Sequence, residues 1–209
     1  MCIRDRFYYA PMSTASTVHW SLEELGIDYE AVLVDLKDPA DKEAKLGPVN
    51  PNLRVPVLVH DGVAIFESVA IQIYLGETFG VKAGLYPKAG PERGRAMAWL
   101  VWANVTLGDA VLRFLRNTSE DYPKEQQNAA AGRAAREEID RLLAMVDAEL
   151  AEGPYMLGAS ASLVDFHLVS FMQWLGFCGI DLSKFRKLAA WVERCSAREA
   201  NQKLMAAAA

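Results

Sequence analysis

Cysteine is scarce in this chain, and the three present, Cys2, Cys178 and Cys195, show no CxxC spacing. An odd, dispersed set supports neither a disulfide framework nor a thiolate metal site, and it suits a reducing, cytoplasmic setting. Histidine is equally sparse. His19, His60 and His167 are scattered and no HExxH occurs, so a catalytic metal has no support. No basic run offsets a net charge of -5 and a pI near 5.3, which argues against nucleic acid or an anionic membrane surface as a partner. No uninterrupted apolar run is long enough to cross a bilayer, and no internal repeat appears apart from the final alanines. What the 209 residues do contain is 52% hydrophobic and 23% charged side chains, enough to bury a sizeable core in one large or two small domains.

The most informative stretch is Asn50-Pro51-Asn52-Leu53-Arg54-Val55-Pro56-Val57-Leu58. Val55 to Val59 reads as an apolar strand, yet Pro56 cannot donate to a ladder, so the strand should begin at Pro56. Val55 is then held extended with its N–H and C=O unpaired, and those groups suit an extended peptide ligand. Asp61-Gly62 signals a type I′ hairpin between Val57–His60 and Val63–Phe66. The second strand delivers Glu67-Ser68 to a helix predicted over Val69–Thr78. Its N-terminus offers free N–H groups and a positive partial charge, a good seat for a carboxylate. With Glu67 beside it to take an ammonium, an amino-acid zwitterion is the natural guest. The plainer alternative is that Ser68 is an N-cap and Glu67 a favourable first-turn charge.

Ahead of this stretch lie a short aromatic strand, Phe7–Ala10, stopped by Pro11, and the loop Met12-Ser13-Thr14-Ala15-Ser16. Ser16 or Thr17 can cap the next helix, and Gly26 suits its C-terminal left-handed residue. Tyr29–Leu36 reads as a second strand and Pro39–Leu46 as a short helix. After Gly80–Pro91 the pattern is helical throughout. One long helix carries Met97, Leu100, Asn104, Leu107, Val111 and Leu115, and a second is predicted from about Pro123 to Glu152. Ser162-Leu163-Val164-Asp165 is a capping box opening a helix that is apolar nearly all round, Leu163–Phe177, and two shorter helices follow, about Phe185–Arg194 and Arg198–Met205.

From Phe7 onward the chain resembles the cytosolic glutathione transferases, of bacterial type. The resemblance rests on the Val55-Pro56 pair, the Glu67-Ser68 helix start and the Ser162-x-x-Asp165 box. It implies an α/β thioredoxin-like domain, residues 1–84, with a cis Val55-Pro56 bond, and an all-α bundle, residues 91–209. Glutathione would be bound by Arg54, Val55, Pro56, Glu67 and Ser68, with its γ-glutamyl group at Glu67-Ser68 and its glycyl carboxylate near Arg54 or, less favourably, Lys37. A hydrophobic electrophile would lie between the domains, with Asn104 as a candidate contact; core hydrogen bonding is the alternative for that residue.

Family members hold the glutathione sulfur as its anion with a Tyr, Ser or Cys near the first helix. Aligned from one end of that helix the position falls at Thr14, where cysteine is absent; aligned from the first strand it falls at Ser13. Ser13 is preferred and Thr14 second. Tyr8 and Tyr9 read as strand residues, one of them buried. The His and Asn that cysteine-type members use on the long helix are replaced by Gly108 and Val101. The expectation is thiol transfer by a homodimeric transferase without metal. Glutathione-dependent isomerisation, dehalogenation or ether cleavage, and a non-catalytic glutathione-binding module, are the alternatives. Met1–Arg6, with two arginines and an aspartate, fits no targeting peptide, and is expected to be an upstream extension or artefact without function.

Overall fold

The computed structural model describes residues 5–150 and 152–208, so Met1–Arg4 lie outside the described residues. Two compact units emerge: Met1–Arg93 together with Ala197–Ala209, and Gly94–Ser196.

The first unit holds a four-stranded sheet of order β2-β1-β3-β4, made of β1 (Arg6–Tyr9), β2 (Glu30–Leu33), β3 (Val57–His60) and β4 (Val63–Phe66). β1 runs parallel to β2 and antiparallel to β3, and β3 and β4 form a hairpin. At the hairpin turn both Asp61 (φ 49) and Gly62 (φ 81) are left-handed, as a type I′ turn requires. Alternation along β1 sends Phe7 to one face and Tyr8 to the other, where Tyr8 joins Val34, Leu46, Val57 and Val59 in a core cluster. The helices are α1 (Ala15–Leu25), α2 (Pro39–Leu46), α3 (Ser68–Leu75) and the single turn α4 (Val81–Ala83). This is the β-α-β-α-β-β-α order of a thioredoxin-like domain.

Several boundaries differ from the sequence expectation. β1 begins at Arg6, and the Asp5 carbonyl accepts from Glu30 N–H, so part of the suspect prefix is paired into the sheet. β2 is shorter than Tyr29–Leu36. α1 starts at Ala15, and Ser16 and Thr17 lie within it; Thr14 is the N-cap residue and makes no side-chain cap bond, while the Ser13 hydroxyl before it accepts from Ala15 N–H at 3.2 Å. α3 starts at Ser68 and runs into a π-helical turn, Gly76–Gly80, where only glycine at 76 leaves room for the Tyr86 ring.

The second unit contains most of α5 (Pro91–Trp102), the π-helical turn Ala103–Leu107, α6 (Gly108–Thr118), α7 (Ala129–Glu149), α8 (Leu163–Phe177) and α9 (Arg186–Ser196). Asn128, not Pro123, starts α7: its side chain accepts from Ala130 and Ala131 N–H, while Lys124–Gln126 form a separate 3-10 turn. Asp165 carries the predicted box, accepting from Ser162 N–H and hydroxyl, and it also takes Met156 N–H and Trp191 Nε1–H. Burial raises its pKa against the pull of these donors.

The expected division at 84/91 is corrected at both ends. α10 (Glu199–Ala208) belongs to the first unit, where it packs on α1. Arg198, just before it, grips the Glu24 carboxylate with two nitrogens, at 2.6 and 2.5 Å, and Trp20 Nε1 donates to the same carboxylate. The continuous helical run Pro91–Thr118 is also, by length and composition alone, long and apolar enough to cross a bilayer, contrary to expectation. Its Ala96, Leu100, Ala103, Leu107, Ala110 and Val111 are buried, as in the core helix of a bundle.

Candidate active site

Three segments of the first unit leave the sheet at the same edge. The last pairs on β3 are Val57↔Tyr8 and Val57↔Phe66. One step beyond, the register sets Pro56 beside Tyr9 and Glu67; a second step brings Val55 beside Ala10. The β1–α1 loop, the Val-Pro segment and the start of α3 therefore converge by strand pairing alone.

In the first segment, Met12 takes a left-handed conformation (φ 54) and turns the chain from the strand into α1. Ser13, half-buried, donates its hydroxyl to the Ala10 carbonyl at 2.7 Å and accepts from Ala15 N–H. Thr14 is exposed at the helix start, and neither its hydroxyl nor its N–H bonds to another described residue. The donors facing outward at this positive helix end are thus those of Thr14, while the Ser13 proton is engaged within the loop.

In the second segment, buried Asn50 acts as a clip. Its amide donates to the Arg54 carbonyl at 2.8 Å and accepts from Asn52 N–H at 3.0 Å, folding residues 50–54 around Leu53 (φ 51). The Val55-Pro56 peptide bond is cis. Val55 N–H and C=O bond to no other described residue, and the exposed Arg54 guanidinium is likewise without a partner among them.

In the third segment, Glu67 adopts φ 71 and ψ 118, a conformation that side chains rarely take, and its exposed carboxylate has no ion pair among the described residues. Strain of this kind is retained where surrounding structure imposes it, and it concentrates at binding sites. Ser68, buried, is the first residue of α3. The edge thus offers an extended backbone, a carboxylate without an ion pair among the described residues, a helix N-terminus and the Thr14 hydroxyl.

Comparison with known proteins identifies the family. The glutathione S-transferase N-terminal domain model matches residues 11–78, and the C-terminal domain model matches 104–199. The chain belongs to the glutathione S-transferase family. It is 31% identical over 187 residues to glutathione S-transferase GstB of Escherichia coli, covering 88% of this chain and 89% of that protein. A glutathione transferase structure from Methylococcus capsulatus superposes with a TM-score of 0.84 at 31% identity, covering 98% of both chains. A sphingomonad glutathione S-transferase complexed with glutathione gives 0.82 at 27% identity, over 97% of this chain and 98% of that one.

Other residues of this family member singled out in the sequence fall elsewhere. Tyr9 packs its ring 5.9 Å from Phe7 and 5.0 Å from His19, and Tyr8 is in the core. Lys37 is exposed on the turn after β2. In the second unit, Asn104 Oδ1 lies 2.8 Å from His167 Nε2, which gives Asn104 the core hydrogen-bonding role weighed against electrophile contact. His167 is fully buried, and burial lowers its pKa to about 3, so the imidazole is neutral. Among the described residues one potential metal cluster occurs: Asp5, His60 and Asp61 bring ligand atoms within 4.8 Å of one another. His60 Nε2 sits 3.4 Å from Asp5, and its Nδ1 shares a hydrogen bond with Tyr74 OH.

Sequence reasoning missed Asn50 and Gln72. Asn50 stands at the head of an Asn-Pro-Asn turn, a signal that was present. Gln72 lies four residues after Ser68 on the same buried helix face, where its polarity was the only clue.

Proposed function

We propose that this family member binds glutathione at the sheet edge and transfers its thiolate to a hydrophobic electrophile, forming a thioether. The observation that carries the reading is the unpaired Val55 backbone at the same edge as the unpaired Glu67 carboxylate. An extended tripeptide with an amino-acid head matches both: its cysteinyl backbone pairs with Val55, its ammonium with Glu67, and its γ-glutamyl carboxylate with Ser68 and the α3 N-terminus. Pro56 shapes the segment, and Arg54 is the cation available to the glycyl carboxylate. The Ser13-Thr14 turn supplies the hydroxyls and the helix end that favour the anion of the thiol, whose free pKa is near 8.5. Asn104, half-buried on the π-helical turn, remains the candidate second-substrate contact.

Apolar side chains exposed on each unit, Val63 and Phe66 on β4 and Val101, Val105 and Leu112 along α5–α6, support assembly as a homodimer. A cytoplasmic location fits the sparse cysteines. The engaged Ser13 proton favours a second reading, a glutathione-binding module without transferase activity. Calorimetry with glutathione, followed by rate measurements with a general aromatic electrophile, separates them. Saturable binding with conjugation supports the transferase; binding without conjugation of any electrophile supports the module; absence of binding defeats both.

A further inference from the structure

The interface between α1 and α3 carries a buried polar seam where helix packing ordinarily places apolar side chains. Thr17 and Ser21 on α1 face Ser68 and Gln72 on α3, all with 3% exposure or less. Gln72 Nε2 donates to the Thr17 carbonyl at 2.8 Å, and Ser21 Oγ donates to that same carbonyl at 3.3 Å. The Thr17 hydroxyl in turn donates to the Thr14 carbonyl at 2.9 Å. Gln72 Oε1 is buried with no hydrogen-bond partner among the described residues, so the residue is not explained as a satisfied core amide. An apolar side chain of the same length would fill the space without an orphan acceptor.

Each end of this chain of bonds lies at the site. Thr14 immediately precedes α1 beside Ser13, and Ser68 lies one helical turn before Gln72 at the start of α3. We infer that Gln72 is a positioning residue: through Thr17 it ties the first turn of α1 to α3, fixing the Ser13-Thr14 turn relative to the Glu67-Ser68 corner. The inference rests on the glutathione reading above. If one end of the tripeptide is seated at α3, the distance to α1 decides whether its sulfur meets the helix end and hydroxyls that stabilise its anion. Misplacement affects the thiol more than the remote amino-acid head.

Gln72→Met keeps length and volume and removes the donor. Thr17→Val removes only the hydroxyl link onward to Thr14, and it serves as an independent route should Gln72→Met fail to fold. The readout is the pH titration of thiolate absorbance with glutathione bound, alongside kcat/KM and the melting temperature. The expected result for each variant is a titration moved up by about half to one unit and kcat/KM lowered about threefold to tenfold, with glutathione affinity within about twofold of wild type. The double variant should shift no further than the larger single one, because both break one path. A merely structural Gln72 would change the melting temperature and leave the titration in place, which overturns the inference, as would fully additive shifts. Failure of the wild type to bind glutathione is a different result: it defeats the reading of the site itself.

Discussion

Replacing Ser13 with alanine separates the helix-start bond that the structure shows from the thiolate contact proposed for the same hydroxyl. The hydroxyl accepts Ala15 N–H at the start of α1, and its loss should cost about 1 kcal/mol of stability. In a chain of this size that corresponds to roughly 2–4 °C in melting temperature. As a thiolate donor, the hydroxyl must first give up the Ala10 carbonyl, 2.7 Å away. A bond to an anion contributes about 1.5–3 kcal/mol and the neutral bond it replaces about 1 kcal/mol, leaving a net of about 0.5–2 kcal/mol. The expected fall in kcat/KM is therefore about twofold to thirtyfold, smaller than a hydroxyl with a free proton would show. The assay is a pH titration of glutathione thiolate absorbance on the enzyme, with conjugation rates measured on the same preparations. Thr14→Val is the comparison, since the Thr14 hydroxyl has no partner to surrender. A titration that is unmoved in Ser13→Ala and raised in Thr14→Val would refute the assignment to Ser13. Two unmoved titrations would leave the anion to the backbone N–H groups of the helix start.

At Glu67, Gln should weaken glutathione binding in calorimetry with little effect on turnover at saturation, because the ammonium proposed as its partner is remote from the sulfur. Glu67→Gly should weaken binding as well while unfolding in urea at an equal or higher midpoint, since glycine relieves a positive φ that strains other residues by about 1–3 kcal/mol. Gly76→Ala should destabilise by about 1–3 kcal/mol in the same urea assay, because its Cβ would lie 2.6 Å from Cγ of the buried Tyr86 ring; an unchanged midpoint would show that the ring moves aside at little cost. Sizing with light scattering at micromolar concentration should give twice the chain mass, and a monomeric mass would defeat the homodimer.

His167 supplies a pH dependence. Its folded pKa, about 3, lies below the unfolded value near 6.5, so the unfolded state binds the extra proton between those limits. Its contribution is fully present above pH 6.5 and is lost as pH falls, by about 1.4 kcal/mol per unit. His167→Gln should flatten the fall in urea stability between pH 6.5 and 5, and parallel slopes in variant and wild type would contradict a buried neutral imidazole.

The fold was legible where local chemistry and hydrophobic period agree. Asp61-Gly62 between two apolar runs, Gly26 after Leu25 and the Ser162-Asp165 box each specify their geometry within a few residues. Boundaries slipped where a polar residue's role depends on a partner. Ser13, Ser16 and Thr17 are all acceptable caps by type, and only the path of the chain through Met12 sets the Ser13 hydroxyl on a helix-start N–H. Asn128 likewise competes with Pro123 as a start signal and prevails because its side chain reaches two N–H groups. The return of α10 to the first unit had no local signature at all. It depends on Arg198 meeting Glu24, 174 residues away in sequence.

The candidate site, as proposed, was legible for a different reason. Much of it is backbone: the Val55 peptide groups and the first turns of α1 and α3. Backbone groups are left open by punctuation, and punctuation is written locally. Pro56 cannot join the ladder, Pro11 ends a strand, and a helix start leaves N–H groups over wherever it falls. Such a site can therefore be located without knowing which side chains meet. What remained hidden is the hardware that holds these open groups in place. Asn50 closes on Arg54 across four residues and Gln72 on Thr17 across 55, and a side-chain amide has no spacing rule that announces its partner. The same asymmetry explains why Asn104 was ambiguous. A polar residue on an apolar stripe signals that a hydrogen bond exists, but its partner, His167, lies on a helix 63 residues further along.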